Sequence, residues 1–271
     1  MAKILVTGAA GNVAGMIRPY LLKKYGALVL SDRRPVTDLA KGETFRAADL
    51  GDRDAVEAML EGITGVVHLG GQPMDMTDGP WETLLPQMVS NLHLFYETCR
   101  KKGVGRVIYA SSVHATGFYP TTRRIGIDHR LRPDGFYGVC KAAGEALSSL
   151  YADKYGLRTL SARIGNVNPE PIDERRLSIW VHPEDLAQVC VIGLEHPDIH
   201  NQIVWAASNN IRGWWDNREA FALGYRPGHY SEDYAAKALA GTVKDPIGDQ
   251  FQGGGYCSDD FDGDEERTKW H

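Results

Sequence analysis

Tyr137 and Lys141 are the two residues whose types and spacing most directly suggest chemistry. They lie four positions apart, so on a helix their side chains would share one face, one turn from each other. The residues that follow, 142–147, have a helix-forming composition. A lysine ammonium beside a tyrosine favours the phenolate and lowers the pKa of the phenol. The pair is therefore typical of a base that takes a proton from an alcohol while a hydride leaves the same carbon.

Ser112 is the third candidate for this chemistry. It follows a predicted strand at residues 106–110 and precedes Tyr137 by 25 residues. A hydroxyl at a strand end could hold the reacting oxygen of a substrate beside Tyr137. His114, two residues further on, is the histidine that we expect to contact the substrate. A Tyr-x-x-x-Lys pattern is common by chance, so its meaning depends on a dinucleotide site elsewhere in the chain.

Such a site is predicted at the start of the chain. Residues 3–7 form a short apolar run that predicts a buried strand, and a glycine-rich stretch, residues 8–15, follows at once. Gly8 would allow the tight turn, and Gly11 would let the backbone approach a pyrophosphate at a helix N-terminus. We expect Gly8, Gly11, Asn12 and Val13 to bind the cofactor. The alternative is a strand–turn–helix whose glycines serve only the turn.

Asp32 points to the type of dinucleotide. It ends a second predicted strand, residues 27–31, and lies 21 residues after Gly11. A carboxylate there can accept hydrogen bonds from the adenosine ribose and would repel a 2′-phosphate, which favours NAD over NADP. Arg33 and Arg34 follow and could instead receive a 2′-phosphate. We expect them to be a solvated strand end, but dual use of NAD and NADP stays open.

The third predicted strand, residues 44–47, leads into Asp49 and Leu50. Asp49 could reach the adenine amino group, and Leu50 would contact the cofactor beside it. Alternatively, Asp49 could cap the helix predicted at residues 52–61, although Asp52 competes for that position.

The remaining cofactor contacts are expected at later strand ends and on a helix. A fourth strand, residues 65–69, ends in Leu69, Gly70 and Gly71, where a ligand would lie against the backbone. Asn91 falls in the middle of a helix predicted from about 81 to 102, where its role could be a structural water, the surroundings of Lys141, or a plain surface position. Ile164 follows the sixth strand, residues 158–163.

The alternation of strands and helices predicts the fold class. Repeated βα crossovers are typical of an α/β protein with a Rossmann-type doubly wound parallel sheet. We expect a single domain over residues 1–271, in which the part from about 166 onward supplies a substrate-side cap. Residues 259–266 contain six acidic residues, which we expect to be a solvated tail.

The composition excludes several function classes. The chain has 271 residues, 43% apolar and 24% charged, and a net charge of −5, so nothing suggests binding to nucleic acid or to an anionic membrane. Its four cysteines are scattered without a Cys-x-x-Cys pair, which predicts neither disulfides nor a metal site. Neither a membrane-spanning run nor a signal peptide is apparent. We therefore expect a cytoplasmic protein.

These motifs, in their order along the chain, resemble the short-chain dehydrogenase/reductase superfamily in its extended or atypical branch. Several stretches resemble the bacterial uronate dehydrogenases more closely still, over nearly the whole chain. They are residues 68–71, 117–120, 132–138, 163–165, 175–180, 213–217 and 251–254. The resemblance implies NAD-dependent oxidation of a hexuronate at C1 to an aldarolactone. It also implies a homo-oligomer that pairs through the 81–102 helix and the Tyr137 helix.

The resemblance assigns roles position by position. Ser112, Tyr137 and Lys141 match the catalytic set, and His114 matches a histidine that contacts substrate. Arg175 falls at the arginine that grips the sugar carboxylate, with Arg176 as the fallback.

Two positions depart from the family. Val113 stands where the family has asparagine, and Pro73, next to Gln72, stands where it has serine. Gln72 and Val113 are nevertheless expected to line the substrate site. Because two polar contacts are replaced, a related aldose with a sulfonated or neutral C6 group is an alternative substrate. A nucleotide-sugar epimerase or dehydratase, or a non-catalytic dinucleotide sensor, are further alternatives.

Overall fold

A single parallel sheet forms the centre of the protein in the computed structural model, which describes residues 3–71 and 80–270. Seven strands run in the order β3-β2-β1-β4-β5-β6-β9, and every neighbouring pair is parallel. They are β1 (Ile4–Thr7), β2 (Leu28–Asp32), β3 (Glu43–Ala47), β4 (Gly65–His68), β5 (Arg106–Ser112), β6 (Arg158–Ile164) and β9 (Asn201–Ala206). Two short strands, β7 (Asn166–Val167) and β8 (Trp180–Val181), pair separately. The predicted α/β Rossmann-type class is confirmed.

Helices cover both faces of this sheet. They are α1 (Asn12–Tyr25), α2 (Arg53–Met59), α3 (Pro80–Leu85), α4 (Asn91–Lys101), α5 (Phe136–Tyr155), α6 (Arg176–Ile179), α7 (Pro183–Glu195), α8 (Arg218–Ala222), α9 (Ala235–Ala240), α10 (Gly255–Ser258) and α11 (Glu265–Trp270). Within residues 3–71 and 80–270, none of the helices has the length and apolar composition needed to cross a membrane.

The two-sided core follows from strand alternation. Successive side chains of β1 point to opposite faces of the sheet. Ile4 and Val6 therefore pack with Ile17 of α1 in one buried cluster, whereas Leu5 packs with Phe95 of α4 in the other.

The helix predicted over 81–102 contains a π-helical turn. Residues 80–101 are helical without a gap, and the π turn Pro86–Ser90 joins α3 to α4. Pro86 explains the local change of geometry, because proline lacks the amide hydrogen and its ring collides with the preceding turn. Asn91 therefore lies inside a long helical segment, as predicted, directly after a π turn that the sequence pattern did not indicate.

Asp52 caps α2, so that role does not belong to Asp49. The Asp52 carboxylate accepts hydrogen bonds from the amides of Asp54 and Ala55 at 3.0 and 3.2 Å. Asp49 accepts one from the amide of Gly51 at 2.8 Å.

The long helix α5 packs unusually close to β5. A Cβ on Gly144 would lie 2.1 Å from the Tyr109 hydroxyl, and one on Gly138 would lie 2.2 Å from the His114 carbonyl oxygen. Only glycine fits at either position, because real Cβ contacts are never so short. The first three turns of α5 are thereby brought against β5 and the turn that follows it.

A buried ion pair ties α5 to the sheet. Arg163 of β6 donates two hydrogen bonds to the Glu145 carboxylate, both at 2.9 Å, and Ser111 of β5 donates a third at 2.6 Å. The Arg163 and Glu145 side chains are 2% and 5% exposed. Three neighbouring elements are thus joined at one carboxylate.

The acidic tail is more than a solvated end. Most of its acidic side chains are exposed, as expected, but the chain folds back onto the protein. Arg132 donates a hydrogen bond to the carbonyl of Thr268 at 2.7 Å. Residues just before the acidic run, including Tyr256, consequently reach the carboxyl edge of the sheet.

We expect Glu145→Gln to lower the free energy of unfolding by about 3–5 kcal/mol, because it leaves the buried Arg163 charge uncompensated. Urea unfolding measures this change. Glu232→Gln is the matched control, since it breaks the surface pair with Arg212 and should change stability little. Equal losses in the two variants would contradict the role given to the buried pair.

Candidate functional site

Two cavities open at the carboxyl edge of the sheet. One, the glycine-loop cavity, has a volume of about 1430 Å³ and extends from the 8–15 loop to Lys141. The other, the cap cavity, has a volume of about 1420 Å³ and is lined largely by residues beyond 164. His114, Gly165 and Asn166 line both. The candidate site therefore lies where a cofactor-sized and a substrate-side space meet.

The predicted cofactor residues lie together in space. All of them line the glycine-loop cavity: Gly8, Gly11, Asn12, Val13, Asp32, Asp49, Leu50, Leu69, Gly70, Gly71, Asn91, Tyr137, Lys141 and Ile164.

The glycine loop has a geometry that fits a dinucleotide. Gly8 has a φ of +66°, and a Cβ there would lie 2.8 Å from the backbone of Leu69 and Gly70. Helix α1 starts after Gly11, which provides no side-chain cap. Its first-turn amides and the helix dipole therefore suit an anionic group such as a pyrophosphate.

Asp32 is held firmly at the end of β2. Its carboxylate accepts hydrogen bonds from the amides of Ala10 and Arg34 at 3.1 and 2.9 Å. The Arg34 guanidinium donates to the carbonyl of Ala10 at 3.0 Å, so it lies against the loop. The negative group thus lies inside the cavity wall, where a ribose would meet it.

The predicted catalytic residues come from β5 and α5. Ser112 ends β5, and its hydroxyl accepts a hydrogen bond from the amide of His114 at 3.2 Å. Tyr137 lies in the first turn of α5 and Lys141 in the second. The Lys141 ammonium lies 5.4 Å from the centre of the Tyr137 ring. Ser112, Tyr137 and Lys141 all line the glycine-loop cavity.

Lys141 is a buried cation. Its side-chain nitrogen donates a hydrogen bond to the Ala110 carbonyl at 2.6 Å, and the residue is 5% exposed. Burial lowers the pKa of Lys141 to about 8, because removal from water disfavours the charged form. The amine is still mostly protonated at neutral pH.

His68 is a buried neighbour that carries no charge at neutral pH. Its ring stacks on Phe95 with centroids 4.4 Å apart, and its Nδ1 shares a hydrogen bond with the Thr7 hydroxyl at 2.8 Å. Burial, together with the Lys141 charge, lowers the pKa of His68 to about 3. The neutral His68 therefore adds no second positive charge beside Lys141.

His114 lies at the junction of the two cavities. Its Nδ1 lies 2.7 Å from a carboxylate oxygen of Asp134. Its face stacks on Tyr256 at 3.9 Å between centroids, and its ring lies edge-on to Tyr137 at 5.8 Å. Val113, beside it, is buried and borders the cap cavity.

Arg175 and Arg176 are bound differently. Arg175 donates from Nε and Nη2 to the carbonyl of Gln252 at 3.2 and 2.7 Å, whereas Arg176 pairs with the Asp173 carboxylate. Burial and the Arg176 charge lower the pKa of Arg175 to about 10, so it remains a cation at neutral pH. Among the described residues, the hydrogen bonds of Arg175 go to a neutral carbonyl. This guanidinium is therefore the better placed of the two to receive a carboxylate ligand.

Sequence reasoning missed three residues at this site. Asp134 and Tyr256 contact His114, and Asn166 borders both cavities with a buried side-chain oxygen that has no hydrogen-bond partner among the residues described. The three glycines before Tyr256, Gly253 to Gly255, were the available signal, since clustered glycines mark close backbone approaches. Gln72 and Pro73 lie outside the described residues.

A group of potential metal ligands lies apart from both cavities. His182, Glu184 and His229 bring their ligand atoms within 4.8 Å of one another. However, His182 Nδ1 accepts the amide of Glu184 at the start of α7, and the positive end of the helix dipole disfavours a cation there. His182 is therefore described as the N-cap of α7.

Comparison with known proteins agrees with this geometry. Residues 4–178 match the NAD dependent epimerase/dehydratase family. Over 258 residues the chain is 38% identical to a uronate dehydrogenase of Pseudomonas putida, which covers 94% of this chain and 95% of that protein.

Solved structures give the same result. A uronate dehydrogenase mutant from Agrobacterium tumefaciens, complexed with NAD, is 37% identical with a TM-score of 0.90, covering 95% of this chain and 97% of the other. A glucuronic acid dehydrogenase from Chromohalobacter salexigens is 34% identical with a TM-score of 0.90, covering 96% and 99%. The chain thus belongs to the NAD-dependent epimerase/dehydratase family, in the branch that contains the uronate dehydrogenases.

Proposed function

We propose that the protein is an NAD-dependent dehydrogenase that oxidises a hexuronate at C1 to the aldarolactone. The observation that carries this proposal is that Ser112, Tyr137 and Lys141 line a dinucleotide-sized cavity, which meets a second cavity lined by Arg175 at His114, the neighbour of Ser112 and Tyr137. The first cavity supplies a place for the cofactor, and the second supplies a cation for the sugar acid. The uronate dehydrogenases similar to this chain support the same activity.

The glycine loop and Asp32 would hold the cofactor. First-turn amides of α1 would bind the pyrophosphate, and the Asp32 carboxylate would accept the ribose hydroxyls and disfavour a 2′-phosphate. When bound, NAD supplies the acceptor for the hydride from C1. The carboxyl ends of β1 and β4, beside Gly70 and Gly71, form the wall against which it would lie.

Tyr137 would act as the general base for the anomeric hydroxyl. The Lys141 ammonium, 5.4 Å from the tyrosine ring, stabilises the phenolate electrostatically, and Ser112 holds the reacting oxygen. Burial strengthens this effect, because charges interact more strongly where water is excluded. The Ala110 carbonyl keeps the ammonium in position.

Arg175 and His114 would orient the rest of the sugar. The guanidinium matches the planar carboxylate of a hexuronate, and His114 lines the same cavity next to Tyr137. Val113 adds an apolar surface where a polar contact would otherwise hold a hydroxyl. This is the observation that favours the second candidate, a 1-dehydrogenase for a related aldose with a different C6 group.

Three broader expectations belong to the same proposal. We propose one domain in which residues from about 166 onward cap the substrate, and a cytoplasmic location, where the four free cysteines stay reduced. We also propose a homo-oligomer that pairs through α4 and α5. Leu150 and Tyr155 of α5 are 45% and 44% exposed, which supports an interface there.

The function is tested by NADH formation from NAD with a panel of sugars: glucuronate, galacturonate, glucose, galactose, arabinose and 6-deoxy-6-sulfoglucose. We expect turnover of the uronates. Tyr137→Phe should lose roughly 10²- to 10⁴-fold in turnover, the range for a lost general base, and should still bind NAD. Turnover of another sugar with inert uronates would favour the second candidate. If no sugar gives reduced cofactor with either NAD or NADP, an epimerase or a non-catalytic dinucleotide sensor would be favoured.

The carboxylate role of Arg175 is tested by Arg175→Met. Loss of a buried charge partner costs about 2–5 kcal/mol, so we expect kcat/KM for glucuronate to fall at least about 30-fold, while kcat/KM for a neutral sugar changes little. Arg176→Met is the matched control, because Arg176 already has Asp173 as its partner. A fall of equal size for charged and neutral sugars would count against a carboxylate contact.

The buried charge of Lys141 predicts a trade-off with stability. Its folded-state pKa of about 8 lies below the unfolded value of about 10.4, so the unfolded chain binds more protons between these values. Wild-type stability from this group therefore rises with pH across that window. We expect Lys141→Met to be inactive, and its stability relative to wild type to fall by about 2 kcal/mol between about pH 7 and pH 10. A pH-independent difference in urea unfolding would show that the lysine is not destabilised by burial.

A further inference from the structure

Asp134 is a buried carboxylate beside the site to which the proposed function gives no role. Its side chain has no exposed surface. One oxygen, Oδ2, lies 2.7 Å from His114 Nδ1, and the other, Oδ1, has no hydrogen-bond partner among the residues described. A buried carboxylate is costly unless it is compensated, so this placement calls for a reason.

The protein builds a chamber for this carboxylate. A Cβ on Gly117 would lie 1.8 Å from Asp134 Oδ2, and one on Gly253 would lie 1.9 Å from it. Cys257 closes the chamber, with Sγ 3.9 Å from the same oxygen. Gly117 and Gly253, which are far apart in sequence, therefore leave the space that Asp134 needs to reach His114.

The backbone fixes the same contact. The amide of Asp134 donates to the carbonyl of His114 at 3.3 Å, and the amide of Arg132 donates to the carbonyl of Ala115 at 3.0 Å. Tyr256 stacks on one face of the imidazole. The stack holds the plane of the ring, and turning the ring over within that plane would replace Nδ1 by Cδ2 and lose the contact with Asp134.

The chemistry of the contact selects one tautomer. An ionised carboxylate only accepts hydrogen bonds, so His114 Nδ1 must carry the hydrogen. The neutral imidazole then has its lone pair on Nε2, on the opposite edge of the ring. His114, which carries this lone pair, lines both cavities.

We propose that Asp134 is a positioning residue that holds His114 in the Nδ1–H tautomer, so that Nε2 accepts a hydrogen bond from a sugar hydroxyl. The identification of the ligand as a sugar rests on the proposed function, but the assignment of the tautomer does not. An analogous carboxylate orients the histidine of serine-protease triads, where an asparagine replacement leaves the geometry and gives the wrong tautomer.

The first test is a double-mutant cycle with Asp134→Asn and His114→Gln. We expect Asp134→Asn to lower kcat/KM for the sugar roughly 10- to 100-fold, the size of one lost hydrogen bond to a charged group, with unchanged affinity for NAD. In the His114→Gln background the same substitution should have almost no further effect. A similar fall in both backgrounds would overturn the proposal, because Asp134 would then not act through His114.

Asp185→Asn is the matched control for lost stability. Asp185 is equally a buried carboxylate, bonded to the Ser208 hydroxyl and the Gly228 amide, but it lines neither cavity. We expect Asp185→Asn to lower the unfolding midpoint while kcat/KM stays near the wild-type value. If it lowers kcat/KM as much as Asp134→Asn does, general destabilisation explains both and the proposal fails.

A second readout does not depend on turnover. In nitrogen-15 NMR of histidine-labelled protein at alkaline pH, the His114 signals are identified by their loss in His114→Gln. We expect Nδ1 protonated and Nε2 unprotonated in the wild type, and a change of this pattern in Asp134→Asn. The opposite tautomer in the wild type overturns the inference even if uronate is oxidised. The expected tautomer without any uronate oxidation overturns the proposed function and leaves the assignment of Asp134 standing.

Discussion

The seating of α5 against β5 and β6 is the constraint on which the site depends. Tyr137, Lys141 and Glu145 recur at four-residue intervals on one face of this helix, and Glu145 joins Arg163 and Ser111 in the interior. A buried ion pair gains little over an apolar contact, but one partner without the other is strongly unfavourable. The ion pair therefore disfavours any position of α5 that would separate Glu145 from Arg163. Because Ser112 follows Ser111 directly, the same contact fixes the end of β5 that carries Ser112 relative to the helix that carries Tyr137.

The site also contains buried charged groups whose removal from water opposes folding. Lys141 is kept from water by packing that lowers its pKa, and Asp134 is enclosed with one oxygen unbonded among the described residues. Burying either charge does not by itself stabilise the fold. Each has one well-defined partner, the Ala110 carbonyl or the His114 imidazole, which fixes where its charge acts. Such costly charges beside a cavity are typical of functional sites.

Local patterns made the cofactor side predictable from sequence. The turn at Gly8, the uncapped helix start after Gly11 and the carboxylate of Asp32 all depend on residues close in sequence to a strand end, so spacing alone placed them at one edge. Asn91 shows the limit of this approach. Its position inside a long helix was predicted, but the π-helical turn at Pro86 that directly precedes it was not.

The substrate side depends on long-range contacts that no local pattern contains. Tyr256 meets His114 across more than a hundred residues, and Gly253 makes room for Asp134 from the same distant segment. The preference for Arg175 over Arg176 came from the resemblance alone, because two adjacent arginines do not by themselves show which has a partner. The structure adds the partners of the two side chains, since Asp173 pairs with Arg176 and the Gln252 carbonyl accepts from Arg175.

The most direct test of the central claim is the fate of the hydrogen on C1 of the sugar. Wild-type protein would be incubated with NAD and glucuronate carrying deuterium at C1, and the nicotinamide product would be analysed by mass spectrometry. Transfer from C1 predicts one deuterium in each NADH formed, together with a lactone product that retains none. NADH without deuterium, or a deuterated sugar recovered with no NADH, would contradict oxidation at C1.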